Sequence, residues 1–395
     1  MGAGGHPDQA EGRSGLMASA CLGILVFGIV VALLGTLFGL PVVRERLGVD
    51  LAQEGDLFLL LYAGIFVASV LAGPLLDRFG NKPVLTMSSV FVSAALLSLA
   101  TAHSFLAAGV SCGALGLGGG GLNTSTNALV SDIYGDLRGS MLNILGVFFG
   151  IGALLAPLLA SSLTRLFTIP QLMVAAASLA ALSALVFGLR RFPPAREAHG
   201  FAWREAVKMA RHPAVLALAL LLFCESGNEA SVGGWVSTYL GAMGSAARTA
   251  TWMLAGYLAA LLAGRVLAAY LLGRVDKALL VLASGLGSVS GCVLLLSVHE
   301  RGALAAATVL IGLSCAGIFP TTLAMAGDRY QRFAGTLFGF LFSVALVGGM
   351  MFPWTIGHLS QRFGMRAGML LPVAGSIVIC ALAIAVRRQL AANPE

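Results

Sequence analysis

Charge is scarce in this chain. Of its 395 residues only 10% are Asp, Glu, Lys or Arg, while 58% are hydrophobic. A water-soluble domain carries about 25% charged and about 45–50% apolar residues. That shortage argues against an ordinary soluble enzyme. Motifs for metal and redox chemistry are missing as well. The six cysteines (Cys21, Cys112, Cys224, Cys292, Cys315 and Cys380) include no CxxC spacing, and each lies in an apolar run. They read as small packing residues, neither disulfides nor metal ligands. The six histidines form no HExxH, and no GxxxxGK[ST] is present to cradle ATP phosphates. No cofactor and no resident metal are expected. The run GLGGGG at 116–121 fits a dinucleotide fingerprint only formally. That fingerprint needs a strand ahead of it, whereas these glycines lie in an apolar helix, where small residues let neighbouring helices approach.

What the chain does contain is apolar sequence in blocks. About 20 mostly apolar residues cross a bilayer as a helix. Twelve such blocks occur, at 16–43, 55–76, 83–101, 105–131, 141–164, 170–189, 214–241, 250–273, 278–298, 302–326, 334–357 and 367–386. The polar start MGAGGHPDQAEGRSG precedes an apolar run too long for the core of a cleaved signal, so that run reads as span 1. His6 stands where a myristoylation signal wants Ser or Thr. With both termini placed in the cytoplasm, Lys and Arg divide 16 to 7 in favour of the cytoplasmic segments, and Arg265 remains within span 8. This is the positive-inside bias. It accounts for the net charge of +7 without a nucleic-acid partner.

The expected fold is therefore all-α: twelve membrane helices in two six-helix halves, residues 1–189 and 214–395, with both termini cytoplasmic. The linker 190–213 separates them. Pro193 and Pro194 stop the sixth helix. Beyond them Phe201, Trp203, Val207 and Met209 alternate with Arg204, Lys208 and Arg211. That pattern suits a short amphipathic helix on the inner membrane face, with a disordered basic linker as the alternative. The halves echo each other. LLDRFGNKPVL (75–85) follows span 2, and LLGRVDKALL (271–280) follows span 8. Paired six-span repeats are a transporter architecture.

The stretch GPLLDRFGNKPVL (73–85) resembles the signature loop of the major facilitator superfamily. Gly73, Asp77, Arg78, Gly80 and Lys82 fall on its pattern, and Asn81 stands where a basic residue is common. Gly73 permits tight packing, and Gly80 with Pro83 makes the turn. Asp77 can face the positive N-terminal end of span 11, and Arg78 can pair with Asp132 at the end of span 4. The resemblance implies a conformational latch built from these residues.

Within that family, GLNTSTNALVSDIYGDLRGSMLNILGVFFGIGALLAP across spans 4 and 5 and NEASVGGWVSTYL in span 7 are similar to the sugar branch, which includes fucose–proton symporters and sodium-dependent glucose carriers. GIFPTTLAMAGD (317–328) and GGMMFPWTIG (348–357) have the same look. The branch implies a secondary transporter that moves a sugar or similar small polar solute with a coupling proton or sodium ion; a monomer in lipid, in a bacterial inner membrane, is the expected form. The carry-over is incomplete. Where the fucose symporters have a coupling glutamate in span 4 this chain has Asn123, while Asn127 keeps their asparagine. Where they use an aspartate in span 1, residues 16–40 hold no acid. Asn123 and Asn127 share a helical face, and Asn143 in span 5 extends the polar set. The set suits a solute cavity, with helix-to-helix adhesion as the alternative.

Span 7 carries CESGNEASVGGW (224–235). An ionised acid at the bilayer centre costs about 2.5–3.5 kcal/mol even on insertion scales. Glu225 and Glu229 are one turn apart and resist double ionisation, so one should hold a proton near neutral pH or the pair should hold a cation. Glu229 matches the glutamate that this branch carries ahead of Gly-Gly-Trp and is the first candidate for coupling. Glu225, placed nearer the cytoplasm and partly hydrated, reads either as its modulator or as a structural, peripheral residue. Asn228 and Trp235 lie on one stripe, where Trp235 can stack on a sugar ring or serve as an interfacial anchor. Gly233 and Gly234 suit either a hinge or close packing. Arg265 either approaches the inner surface or pairs with an acid such as Glu225. Two other functions stand beside uptake. One is proton-coupled efflux of drugs or metabolites, although span 4 has no arginine and Ala156 precedes Pro157 where the antiport motif has glycine. The other is a non-transporting membrane sensor.

Overall fold

The computed structural model describes residues 7–164, 166–192, 212–330 and 334–392. The described residues are helical apart from short connections, and twelve helices are long and apolar enough to cross a membrane. Spans 1 to 6 are Arg13–Phe38, Leu51–Phe79, Asn81–Ala100, Phe105–Tyr134, Arg138–Leu163 and Ile169–Leu189. Spans 7 to 12 are Pro213–Ala242, Ala247–Leu271, Lys277–Ser297, Arg301–Arg329, Leu337–Phe363 and Met365–Arg388. The amphipathic helix expected in the linker falls on residues 193–211, which lie outside the described residues.

One end and one interior differ from the sequence expectation, and proline explains both. Span 1 stops at Phe38, not near residue 43, and a separate short helix starts at Pro41 (Pro41–Leu47). Proline has no N–H to continue the ladder but suits a first helical position. Span 10 is two helices, Arg301–Cys315 and Ile318–Arg329, broken at Ala316–Gly317. Pro320 cannot donate to the turn before it, and the helix restarts around it. Gly80, at φ 76, makes the turn between spans 2 and 3 that the sequence placed there.

By packing, the chain forms two compact units: Met1–Leu33 with Ala63–His199, and Leu34–Tyr62 with Gly200–Glu395. The facing ends of spans 1 and 2, with the connection between them, thus belong to the second unit. Each unit repeats one internal plan. In the first, span 3 lies between spans 4 and 6; in the second, span 9 lies between spans 10 and 12. A Cβ on Gly152 of span 5 would sit 2.0 Å from the Leu25 carbonyl oxygen of span 1. A Cβ on Gly348 of span 11 would sit 2.0 Å from the Phe223 carbonyl oxygen of span 7. Any side chain at either crossing would force the helices apart. The 116–121 glycines also serve packing, with Gly118 against the Ser88 backbone and Gly120 against that of Ile65.

Lipid tails are as apolar as leucine, so dispersion and buried polar contacts must hold these helices together. The second unit's core includes Leu218, Leu221, Leu222, Leu341, Phe352 and Ile379. In the first unit, Ser89 meets Ser183 at 3.3 Å between spans 3 and 6, and Ser98 meets Ser111 at 2.8 Å between spans 3 and 4. Such contacts average about 0.6 kcal/mol in a membrane.

Candidate functional site

Span 7 is an unbroken helix buried on most sides, and Gly233 and Gly234 lie within it. Phe223, Ser226, Glu229 and Gly233 form its partly exposed stripe, spaced three or four residues apart as one helical face requires. Glu229 sits mid-way along this stripe. Its Oε1 accepts a hydrogen bond from an Arg265 guanidinium nitrogen of span 8 at 2.9 Å. The two side chains are 25% and 30% exposed, so the pair is reachable but poorly solvated. The Tyr257 hydroxyl, also from span 8, donates to the Glu229 backbone oxygen at 3.3 Å. Tyr62 of span 2 and Ser226 both flank Gly349 of span 11, which brings four spans to this place. Arg265 therefore takes the second of the positions open to it, and its partner is Glu229, not Glu225.

Glu225 corrects the sequence reading. It is 1% exposed, not partly hydrated, and neither of its oxygens accepts a bond from any donor. Its charged neighbours are Glu229 and Arg265. The reason is geometric: Glu225 lies a full turn from Glu229 yet just off the open stripe, on the side that faces the bundle.

Asn228 and Trp235 also point into the bundle. Asn228 is 1% exposed, and its Nδ2 donates to Ser376 Oγ of span 12 at 3.0 Å. Ser376 in turn meets Ser288 of span 9 at 2.8 Å. Trp235 is fully buried, donates from Nε1 to the Pro353 carbonyl oxygen at 3.0 Å, and packs on Phe58 with ring centroids 5.6 Å apart. Tyr239 is likewise buried, its hydroxyl donating to the Leu295 carbonyl oxygen at 3.3 Å. In the first unit, Asn127 Nδ2 donates to the Asn123 carbonyl oxygen at 2.7 Å and meets its Oδ1 at 3.1 Å. Both asparagines are partly exposed, and Asn143 is exposed.

Of the expected latch, Gly73, Asp77, Arg78 and Lys82 are exposed around the turn at Gly80, and Asp132 is half-buried. The Arg78 guanidinium lies 5.1 Å from the centroid of the Phe79 ring. The corresponding turn of the second unit shows a charge pair of the expected kind: Lys277, at the start of span 9, bonds to Asp328 at the end of span 10.

A further cluster escaped the sequence reading. Asp56 Oδ1 of span 2 accepts from Trp354 Nε1 at 2.9 Å and meets His358 Nε2 at 3.0 Å, both on span 11. The Leu51 amide donates to Gln361 at 3.1 Å, and Arg44 Nε pairs with the fully buried Glu54 at 2.5 Å. Ser237 of span 7 donates to the Gly35 carbonyl oxygen at 2.5 Å. The Arg44–Glu54 pair closes within residues 34–62, and the other ties hold that segment against spans 7 and 11. Asp56 and His358 are 302 positions apart, and no local pattern announces such a pair; the only hint was Trp354 and His358 one turn apart on span 11.

The sequence matches the family model of the Major Facilitator Superfamily twice, over residues 20–246 and 218–395. It is 25% identical to mouse sodium-dependent glucose transporter 1A over 419 aligned positions, covering 96% of each chain. It is 22% identical to an uncharacterized MFS-type transporter, YfkL, of Bacillus subtilis strain 168, over 75% of this chain and 76% of that one. Among solved structures, a bacterial homologue of the human lysosomal transporter Spinster superposes with a TM-score of 0.77 at 14% identity, covering 99% of this chain and 100% of the other. A variant of the nucleoside transporter NupG gives 0.77 at 13% identity, covering 94% and 99%.

Proposed function

Since this chain belongs to the major facilitator superfamily, multi-pass membrane transporters and not enzymes, we propose that it moves a sugar or a similarly small polar solute by cation-coupled alternating access. The observation that carries this reading is the Glu229–Arg265 pair, a charge pair left partly exposed in the membrane interior of span 7. A pair with only a structural role is often replaced by well-packed apolar residues at no loss of stability. One that must change partners during a cycle needs an approach. The mouse relative, named as a sodium-dependent glucose transporter, supports both the solute class and the cation.

In this reading the first unit's Asn123, Asn127 and Asn143 offer amides to solute hydroxyls; within the second unit, Ser226 and Tyr62 lie together beside Gly349. Asn228 and Trp235 are engaged in packing and hold span 7 in register. The residues Gly73, Asp77, Arg78, Gly80, Lys82 and Asp132 serve as a latch that breaks and reforms. The protein works as a monomer in a bacterial inner membrane with both termini cytoplasmic. A thermal-shift screen of purified protein with hexoses, pentoses and nucleosides tests the solute class. Stabilisation by one of them grows with its concentration as RT ln(1 + [L]/Kd). No shift with any of them, together with a shift from amphipathic drugs, would favour efflux.

A further inference from the structure

We propose that Asp56 is a positioning residue of the transport cycle: it fastens residues 34–62 to span 11 as a clasp, and the clasp must release before the solute site opens to the outer face. The inference rests on the alternating-access reading above and adds the group that holds one of its states.

The way the helices divide carries the first part. Spans 1 and 2 change unit partway along, at Leu33–Leu34 and Tyr62–Ala63. Residues 34–62 pack with the second unit, although each helix continues into the first. Their contact with spans 7 and 11 is a glycine seam. A Cβ on Gly35 would sit 2.0 Å from the Gly233 carbonyl oxygen, and one on Gly357 would sit 2.6 Å from the Leu51 carbonyl oxygen. Gly39 lies against Ser237, and Gly55 against the Trp354 backbone. Such seams bring backbones close and interlock few side chains, so little steric resistance opposes their parting. Directional polar ties must then hold the seam shut.

Asp56 is the tie suited to break and reform. Trp354 and His358 stand one turn apart on span 11 with ring centroids 4.7 Å apart. Both bond to one atom, Asp56 Oδ1, at 2.9 and 3.0 Å. One carboxylate oxygen thus serves two donors, and bonds to a charged acceptor are the strong ones. Asp56 and His358 are 33% and 38% exposed, so water can take over their bonds when the clasp opens. The other ties lack one of these properties. Arg44–Glu54 closes within the segment and travels with it. The Leu51–Gln361 and Ser237–Gly35 bonds join neutral groups.

Thiol labelling from each face tests this on the full-length chain with no solute added. Ser226→Cys places a reporter on the partly exposed stripe of span 7, and the parent chain sets the background from the native cysteines. A membrane-impermeant maleimide is added to sealed right-side-out vesicles and, separately, to inside-out ones. Combined with the reporter, Asp56→Ala should raise labelling from the outer face by about tenfold, the order expected when a shared charged acceptor is lost, and lower it from the inner face. Asp56→Asn should restore most of the parent pattern, since its amide oxygen accepts from the same two donors. If Asp56→Ala does not insert, Trp354→Phe takes its place and should shift labelling the same way by less. Unchanged labelling from the outer face would overturn the proposal. So would a rise from both faces, the mark of a loosened fold, or an Asp56→Asn variant that behaves as Asp56→Ala. The expected shift in a protein that binds no sugar would sink the solute reading alone, and solute uptake without the shift would sink the clasp alone.

Discussion

Removing Arg265 tests how much the span 7 charge pair contributes. Two unit charges about 4 Å apart attract by about 4 kcal/mol at an effective dielectric of 20. Both side chains are a quarter to a third exposed, and water reaching them screens more than half of that attraction. The pair should therefore couple by about 1–2 kcal/mol. Arg265→Met alone should cost more, about 2–3 kcal/mol, because it strands two carboxyls in a poorly solvated place. Glu229→Gln alone should cost less, since the amide oxygen still accepts from the guanidinium. Unfolding in mixed micelles of the wild type, the two single variants and the double variant gives the coupling as the departure from additivity. A coupling below about 0.5 kcal/mol would mean that the 2.9 Å contact carries no energy, and the reading of the Glu229–Arg265 pair as a working charge pair would fail.

Gly348→Ala should destabilise the second unit by about 1–3 kcal/mol through the clash with the Phe223 carbonyl, whereas Gly113→Ala, where a Cβ meets open space, should be neutral or gain about 0.5–1 kcal/mol; the same unfolding assay reads both. Asp56→Ala deprives Trp354 and His358 of their shared acceptor and should cost about 1–3 kcal/mol, with faster proteolysis within residues 39–50, while Asp56→Asn should retain most of the tie. Glu300, between spans 9 and 10, accepts from the Gly302 and Ala303 amides at 3.0 and 2.9 Å, and these bonds hold its carboxyl below the usual carboxylate range. Its folded value lies under its unfolded one, so its contribution is complete above the ordinary carboxylate range and is lost as pH falls toward the folded value. An acid-unfolding profile less steep in Glu300→Gln than in the wild type would confirm that sign; a profile unchanged by the substitution would contradict it.

The spans were legible because a bilayer imposes a length and an apolar composition on every crossing helix, and both are written in consecutive residues. Breaks were less legible. Pro41 and Pro320 lie inside apolar runs, and hydropathy does not register a missing N–H. The acid pair was legible as an anomaly, since Glu225 and Glu229 stand out in an apolar helix. Which one faced the open stripe was not. Four residues turn a helix by slightly more than one revolution, and that small offset separates a quarter-exposed Glu229 from a buried Glu225. Asn228 and Trp235 do share a stripe, but that stripe packs against spans 11 and 12, and a helix buried on nearly every side gives no sequence cue to its one accessible face. Ser226 and Tyr62 were missed for the same reason. The ties around Asp56 depend on tertiary packing alone.

Solute uptake into proteoliposomes under imposed gradients tests the central claim most directly. Labelled D-glucose, or the hexose that stabilises the purified protein best, is presented with an inward proton gradient, an inward sodium gradient, or neither. The account predicts that one of the two gradients accelerates uptake by the wild type and drives accumulation above equilibrium. Glu225→Gln and Glu229→Gln should equilibrate solute at one rate with or without it. Accumulation driven equally well in both variants would contradict the claim that the span 7 acids couple a cation to transport.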